Sequence, residues 1–107
     1  ADEDFERLVA EAMTQLSEHE MQVLELRHIA VQCIHHEYLV QQGNKHVNGM
    51  LVEGRGGNVI NLYSVPMRRQ AAEDEIDLPS WIVRLLKHEI GHASGQSDAQ
   101  MAEWYKY

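Results

Sequence analysis

The feature that most constrains this chain is the stretch "KHEIGHASGQSD", which runs from Lys87 to Asp98. It places His88 and His92 four residues apart, and on a helix this spacing puts both imidazoles on one face, one above the other. Two imidazoles arranged in this way can share one metal ion. Glu89 lies about 100° around the helix from His88, where its carboxylate can reach a water beside the metal without becoming a ligand. The pattern is the HExxH motif of zinc-dependent hydrolases.

The residues that follow this helix extend the motif. Gly95 can adopt positive φ and turn the chain sharply, and that turn can return Asp98 to the two imidazoles as a third ligand. Taken singly, Gly95 is an ordinary helix stop and Asp98 an ordinary first-turn carboxylate. Taken with the histidines, they predict three protein ligands and one open position, which is the catalytic arrangement of zinc. We therefore predict one Zn²⁺ held by His88, His92 and Asp98.

The helix that carries the motif is predicted over about 79–94, with Asp77 or Ser80 as its cap and Pro79 in its first turn. Apolar residues cover most of its circumference. The remaining polar arc consists of Arg84, Lys87 and Ser94, together with the small Gly91. We expect a mostly buried helix with both histidines on its apolar side.

The rest of the chain predicts an α+β fold in a single domain, 1–107. Apolar spacing and a capping box at Ser17 indicate a helix pair over about 4–16 and 18–27. The stretch "HIAVQCIH" reads as a strand, and "HEYLVQQ" as a short helical turn. The glycine-rich "GRGG" joins strands in "HVNGMLVE" and "NVINLYSV", the second of which is expected to end at Pro66. A charged helix or loop then precedes the motif, and a short final helix over about 98–105 follows it.

Composition narrows the classes of partner. The net charge of −8 argues against nucleic acid, which needs a basic face, and against an anionic membrane surface. No apolar run approaches the length of a membrane span. One cysteine, Cys33, cannot form an internal disulfide, and no apolar N-terminal segment is present, so we expect a cytoplasmic location. The oligomeric state cannot be read from these features.

Two further features are weaker signals. Cys33, His35 and His36 form a second cluster of metal-ligating residue types, but without a matching distant pair they predict a metal site only weakly. Metallopeptidases usually supply a group that stabilises the tetrahedral oxyanion. The tyrosines Tyr63, Tyr105 and Tyr107 are candidates for that role, and nothing in the sequence selects among them.

With these residues identified, the chain resembles the mini-zincins, a family of small bacterial domains described as zinc metallopeptidases. The resemblance covers nearly the whole chain. It rests on "FERLVAEAM", "HIAVQCIHHE", "NVINLYSVPMRRQAAEDE" and above all "LLKHEIGHASGQSD". The stretch "HASG" departs from the family, in which a bulkier aromatic pair is expected, and the glycine-rich centre matches less well.

The resemblance implies a zincin-like minimal metalloprotease fold, in which a small sheet of about three strands lies over an active-site helix. It implies that His88, His92 and Asp98 are the metal ligands and that Glu89 is the base. An Asp as third ligand is similar to some metzincins, although a Met-turn is not evident here. Glu103 is the only downstream Glu and stays as the alternative third ligand.

The leading functional hypothesis is a zinc-dependent metallopeptidase acting on a peptide or protein substrate, with a zinc-activated water and Glu89 as general base and then acid. The alternative is a non-catalytic zinc-binding or protein-interaction module on a zincin scaffold, since so small a domain shows no separate halves to form a deep cleft. An endoribonuclease with a His-xxx-His-xx-Gly motif is disfavoured by Glu89 and by the acidic charge. A repressor-cleaving metallopeptidase would need a protein partner that the sequence does not reveal.

Overall fold

The computed structural model describes residues 2–35, 39–40 and 45–95. For residues 39–40 and 45–46 it describes the backbone alone. Several predicted features lie outside the described residues: His36, Asp98, Glu103, Tyr105, Tyr107 and the final helix over 98–105.

The described residues form an α+β fold, as predicted. In chain order the elements are α1 (Glu3–Met13), α2 (Glu18–Leu26), β1 (Ile29–Ile34), β2 (Leu39–Val40), β3 (Lys45–His46), β4 (Gly49–Gly54), β5 (Gly57–Tyr63), α3 (Ser64–Glu73) and α4 (Leu78–Ala93). The predicted helix pair, the first strand, the two strands around the glycine-rich turn and the motif helix are all present.

The N-terminal helix pair begins at the residues that local chemistry favours. The Asp2 side chain accepts a hydrogen bond from the Phe5 amide and caps α1. At α2 the predicted capping box is complete, because the Ser17 hydroxyl accepts from the Glu20 amide and the Glu20 carboxylate accepts from the Ser17 amide. Such a box satisfies two backbone donors that the first turn of a helix leaves unpaired.

Among the described residues, the main sheet has three strands in the order β1-β5-β4. β5 lies in the middle, parallel to β1 and antiparallel to β4. Gly54 pairs with Gly57 across a two-residue turn, which confirms the hairpin predicted from the glycine-rich stretch. Gly57 has φ +133°, a conformation that suits glycine because it has no Cβ.

Two local predictions were wrong. Leu39 and Val40, predicted in a helical turn, form β2 and pair antiparallel with β3. Pro66 was expected to end a strand, but β5 already ends at Tyr63 and Pro66 lies in the first turn of α3. Proline is well tolerated there because the first helical residues have no intrahelical acceptor for their N–H groups.

The motif helix α4 lies at the centre of the fold, in contact with α1, α2, α3 and β4. Its inward face carries Ile82, Leu86 and Ile90, which are at most 1% exposed. They pack in one core with Phe5 from α1, with residues of β5 and with Met67 from α3. The predicted polar arc is only partly correct, since Gly91 is buried.

Candidate active site

The two motif histidines converge on one point. The Nε2 atoms of His88 and His92 lie 3.0 Å apart, and their rings meet edge to face with centroids separated by 4.6 Å. His88 is half-buried, whereas His92 is exposed. The expectation that both histidines lie on a buried side is therefore correct only for His88.

The spacing of the two nitrogens suits a shared zinc ion. Two ligands at about 2.0–2.1 Å from a tetrahedral ion stand about 3.3 Å apart, close to the observed 3.0 Å. Within the described ranges no group of three or more His, Cys, Asp or Glu side chains could hold a metal. The histidine pair therefore provides half of a tetrahedral donor set. The predicted third ligand, Asp98, and its alternative, Glu103, lie outside those ranges.

Glu89 is adjacent to the pair and far less accessible. Its side chain is buried, with the residue 8% exposed, and it lines the same cleft as His88. A carboxylate in such a place is partly shielded from bulk water, which strengthens its interactions with nearby charges and dipoles. This position suits a group that exchanges a proton with a substrate or water in the cleft.

Three contacts fix α4 and thereby the motif. At its start, the Asp77 carboxylate accepts hydrogen bonds from the amide and hydroxyl of Ser80, which identifies Asp77 as the cap. These bonds lower the pKa of Asp77. At its end, the Arg27 guanidinium donates through two nitrogens, at 2.9 and 2.6 Å, to the Ala93 carbonyl. Gly95 follows with φ +85°, as the predicted helix stop requires.

The third contact is an ion pair in the interior. The Lys87 ammonium lies 2.6 Å from a carboxylate oxygen of Glu20, a residue of α2 whose side chain is 1% exposed. Burial acts to raise the pKa of Glu20, but the hydrogen bonds from Lys87 and Ser17 outweigh it and the pKa is lowered. Lys87 directly precedes His88, so this pair ties the motif to the N-terminal helix pair.

The motif opens into a cleft of about 540 Å³. Its walls come from α4, from the start of β4 and from the connection between α3 and α4. The lining residues are Asn48, Gly49, Asp74, Ile76, Trp81, Arg84, Leu85, His88 and Glu89. Gly49 allows the strand to approach α4 closely, because a Cβ there would lie 2.9 Å from a methyl carbon of Leu85. The cleft thus runs along α4 from His88 toward the helix N-terminus.

The other predicted site residues lie elsewhere. His35 contacts Ser64 through Nδ1 and Glu6 through Nε2, both at 3.1 Å. Burial raises the pKa of the Cys33 thiol, with a further contribution from the charge of Glu6, and a protonated thiol is a poor metal ligand. Tyr63 is buried at the end of β5 and is not among the described residues that line the cleft. The described residues therefore give no support to a second metal site at Cys33 and His35.

Sequence reasoning missed the partners of the site helix. The sequence predicts Glu20 only as part of a capping box and predicts no role for Arg27. Both act on α4 across 66 or 67 positions of sequence, and no local pattern signals such contacts. A single signal was available for Glu20: it falls on the side of α2 that also carries Val23 and Leu24, which are buried.

Comparison with known proteins identifies a family. A family model described as zincin-like metallopeptidase matches residues 39–107, more than half of the chain. No curated protein matches the chain, and no solved structure matches it. The family match spans α4, the strand that borders its cleft and the segment with Asp98, and it confirms the resemblance to the mini-zincins. The chain belongs to the zincin-like metallopeptidase family.

Proposed function

We propose that this protein is a zinc-dependent metallopeptidase that hydrolyses peptide bonds in the cleft along α4. The observation that carries the proposal is the convergence of the His88 and His92 Nε2 atoms at 3.0 Å, at one end of a cleft that Glu89 also lines. The family match supports the same activity.

In this proposal His88, His92 and Asp98 hold one Zn²⁺, with Glu103 as the alternative third ligand. When bound, zinc supplies a Lewis acid that polarises a carbonyl and lowers the pKa of water. Glu89 accepts a proton from the attacking water and then delivers it to the leaving amine. Because Glu89 is 8% exposed, few bulk waters compete for that proton.

The sheet suggests how a peptide would bind. Extended peptides commonly add a strand to the exposed edge of a sheet. β5 is the middle strand, so the stretch "NVINLY" cannot offer its edge. Among the described strands β4 pairs only with β5, and its first residue, Gly49, lines the cleft. We therefore assign the peptide-binding edge to β4.

In the part of the chain that the structure describes, no helix is long and apolar enough to span a bilayer. A peptide or protein segment with an extended backbone is the substrate class that fits the cleft and the strand edge.

Metal analysis tests the zinc site. We expect about one zinc per chain in protein purified without a chelator or a metal-binding tag, and loss of that zinc in His92→Ala. His19→Ala is the matched control, because His19 is an exposed histidine of α2 outside the motif. Equal zinc in His92→Ala and in the control would contradict the assignment.

A further inference from the structure

The part of the cleft beyond the histidines has its own chemistry. Arg84 and Trp81 precede His88 on α4 by one and two turns, and Asn48 faces them from the segment before β4. None of these residues belongs to the HExxH motif. They line a cavity of about 540 Å³ together with the motif, so a peptide bound at the histidines would lie against them.

These three residues present buried polar atoms without a hydrogen-bond partner among the described residues. They are the Trp81 indole Nε1, the Arg84 Nε and the Asn48 side-chain oxygen. Buried polar atoms in native proteins are nearly always paired, and leaving one unpaired is costly. Two of the three atoms are donors, and the Asn48 amide can present a donor if it is rotated by a half turn. A ligand with acceptor oxygens would satisfy them.

Arg84 brings a positive charge to this part of the cleft. Throughout the described part of the chain no carboxylate pairs with Arg84, and its guanidinium carbon lies 5.8 Å from the centre of the Trp81 ring. Two carboxylates line the cleft together with Arg84. Glu89 lies next to His88, and Asp74 is exposed and accepts a hydrogen bond from Gln70 at 2.7 Å. A planar guanidinium that an aromatic ring holds in place is suited to bind a carboxylate.

We propose that Arg84 and Trp81 form a subsite for a carboxylate of the bound peptide, and that the peptidase therefore prefers acidic substrates. This inference rests on the proposed function. The carboxylate is either an Asp or Glu side chain or the C-terminal carboxylate. One helical turn separates Arg84 from His88, about 6 Å along the axis, which corresponds to about two residues of an extended peptide. The recognised carboxylate therefore belongs to a residue close to the scissile bond.

Binding of three matched peptides tests the subsite without turnover. One peptide carries Glu and an amidated C-terminus, with the Glu placed in turn at each position. The second replaces Glu by Gln, and the third has Gln and a free C-terminal carboxylate. Their affinities are measured by titration calorimetry on zinc-supplemented Glu89→Gln protein. We expect the Glu peptide or the free-carboxylate peptide to bind at least about tenfold more tightly than the Gln amide, as a charge-assisted hydrogen bond requires. The peptide that binds more tightly shows whether the recognised carboxylate is a side chain or the C-terminus.

Variants assign the preference to Arg84. On the same background Arg84→Gln is expected to abolish the tenfold difference, whereas Arg55→Gln, at an exposed residue of the hairpin turn, keeps it. Arg84→Glu is expected to reverse the preference toward Lys peptides, a gain that misfolding cannot produce. The subsite is overturned if all three peptides bind with equal affinity, or if none of them binds. It is also overturned if Arg55→Gln loses the preference for the carboxylate to the same extent as Arg84→Gln.

Hydrolysis by the unmutated protein separates this proposal from the one on which it rests. If acidic peptides bind with the expected preference but none is cleaved, the subsite stands and the peptidase assignment fails. If peptides are cleaved with no dependence on their carboxylates or on Arg84, the peptidase assignment stands and the subsite fails.

Discussion

Replacing Lys87 with methionine removes the cation that faces the buried Glu20 carboxylate, and keeps a side chain of similar length. In the native protein one oxygen of Glu20 accepts from the Lys87 ammonium at 2.6 Å and from the Ser17 amide at 2.7 Å. The other oxygen is buried without a hydrogen-bond partner in the described part of the chain. Without Lys87, an ionised carboxylate would remain in the core beside α4.

The size of the effect follows from burial. Removing one partner of a fully buried ion pair costs about 3–5 kcal/mol. The Lys87 side chain is 23% exposed, so water can replace part of its interaction, and we expect a loss of about 2–3 kcal/mol in the free energy of unfolding. For a domain of this size that corresponds to a fall in Tm of about 10–20 °C.

The same pair predicts a dependence on pH with a defined sign. Because the pKa of Glu20 is lowered in the folded protein, the stability it contributes is present above its ordinary value of 4.5 and is lost as pH falls through the lowered pKa. In Lys87→Met the cation that opposes the effect of burial on the Glu20 carboxylate is gone. Protonation of Glu20 then removes the free-energy cost of keeping a charge buried. The difference in stability between the two proteins should therefore shrink as the pH falls from neutral toward the ordinary carboxyl pKa of 4.5.

Urea unfolding of the metal-free proteins, followed by circular dichroism, measures the loss in the free energy of unfolding and its dependence on pH. Arg7→Met is the matched control, since Arg7 is 63% exposed in its surface ion pairs and such pairs contribute at most about 1 kcal/mol. The double variant Glu20→Gln/Lys87→Met should recover part of the loss, because no charge remains buried. A loss no larger than in the control, or a difference that widens at low pH, would refute this reasoning.

Three further predictions concern the ends and ligands of the site. Gly95→Ala places a side chain at φ +85° and should lower the free energy of unfolding by about 1–2 kcal/mol. Its control is Gly56→Ala, where a Cβ meets nothing within 4 Å and the loss should be much smaller. Equal effects of the two variants on the urea midpoint would count against the role of Gly95 as the helix stop. Arg27→Met removes two hydrogen bonds to the last turn of α4 and should lower the free energy of unfolding by about 1–3 kcal/mol. It should also weaken zinc binding in a competition titration. An unchanged zinc affinity would show that this contact does not position the motif. Asp98→Ala should weaken zinc binding by at least about tenfold and Glu103→Ala should not, and the reverse result in the same titration would make Glu103 the third ligand.

How much the sequence predicts depends on whether the determining contact is local. The capping box at Ser17 and the turn at Gly54–Gly57 were predictable, and the cap of α4 was narrowed to Asp77 or Ser80, because residues within a few positions of one another make those contacts. The facing of His88 and His92 was predictable for the same reason, since one helical turn fixes it.

Contacts between distant segments were not predictable. The central place of β5 depends on pairing with β1, which lies before it across more than twenty residues, and alternation alone does not give strand order. The ion pair between Lys87 and Glu20 joins residues 67 positions apart. The sequence predicts both residues as polar positions near the surface. In the structure they form an ion pair inside the protein that holds the site helix, because tertiary packing decides which polar groups are buried.

Hydrolysis of a diverse peptide library, with cleavage products identified by mass spectrometry, tests the central claim most directly. The zinc-loaded protein should cleave peptides and lose that activity when zinc is removed by a chelator. Glu89→Gln should keep the same zinc content and lose activity by at least about 100-fold, as expected for the loss of a general base. Cleavage by Glu89→Gln at the unmutated rate would contradict the role of Glu89. A zinc-loaded native protein that cleaves nothing would favour the non-catalytic module instead.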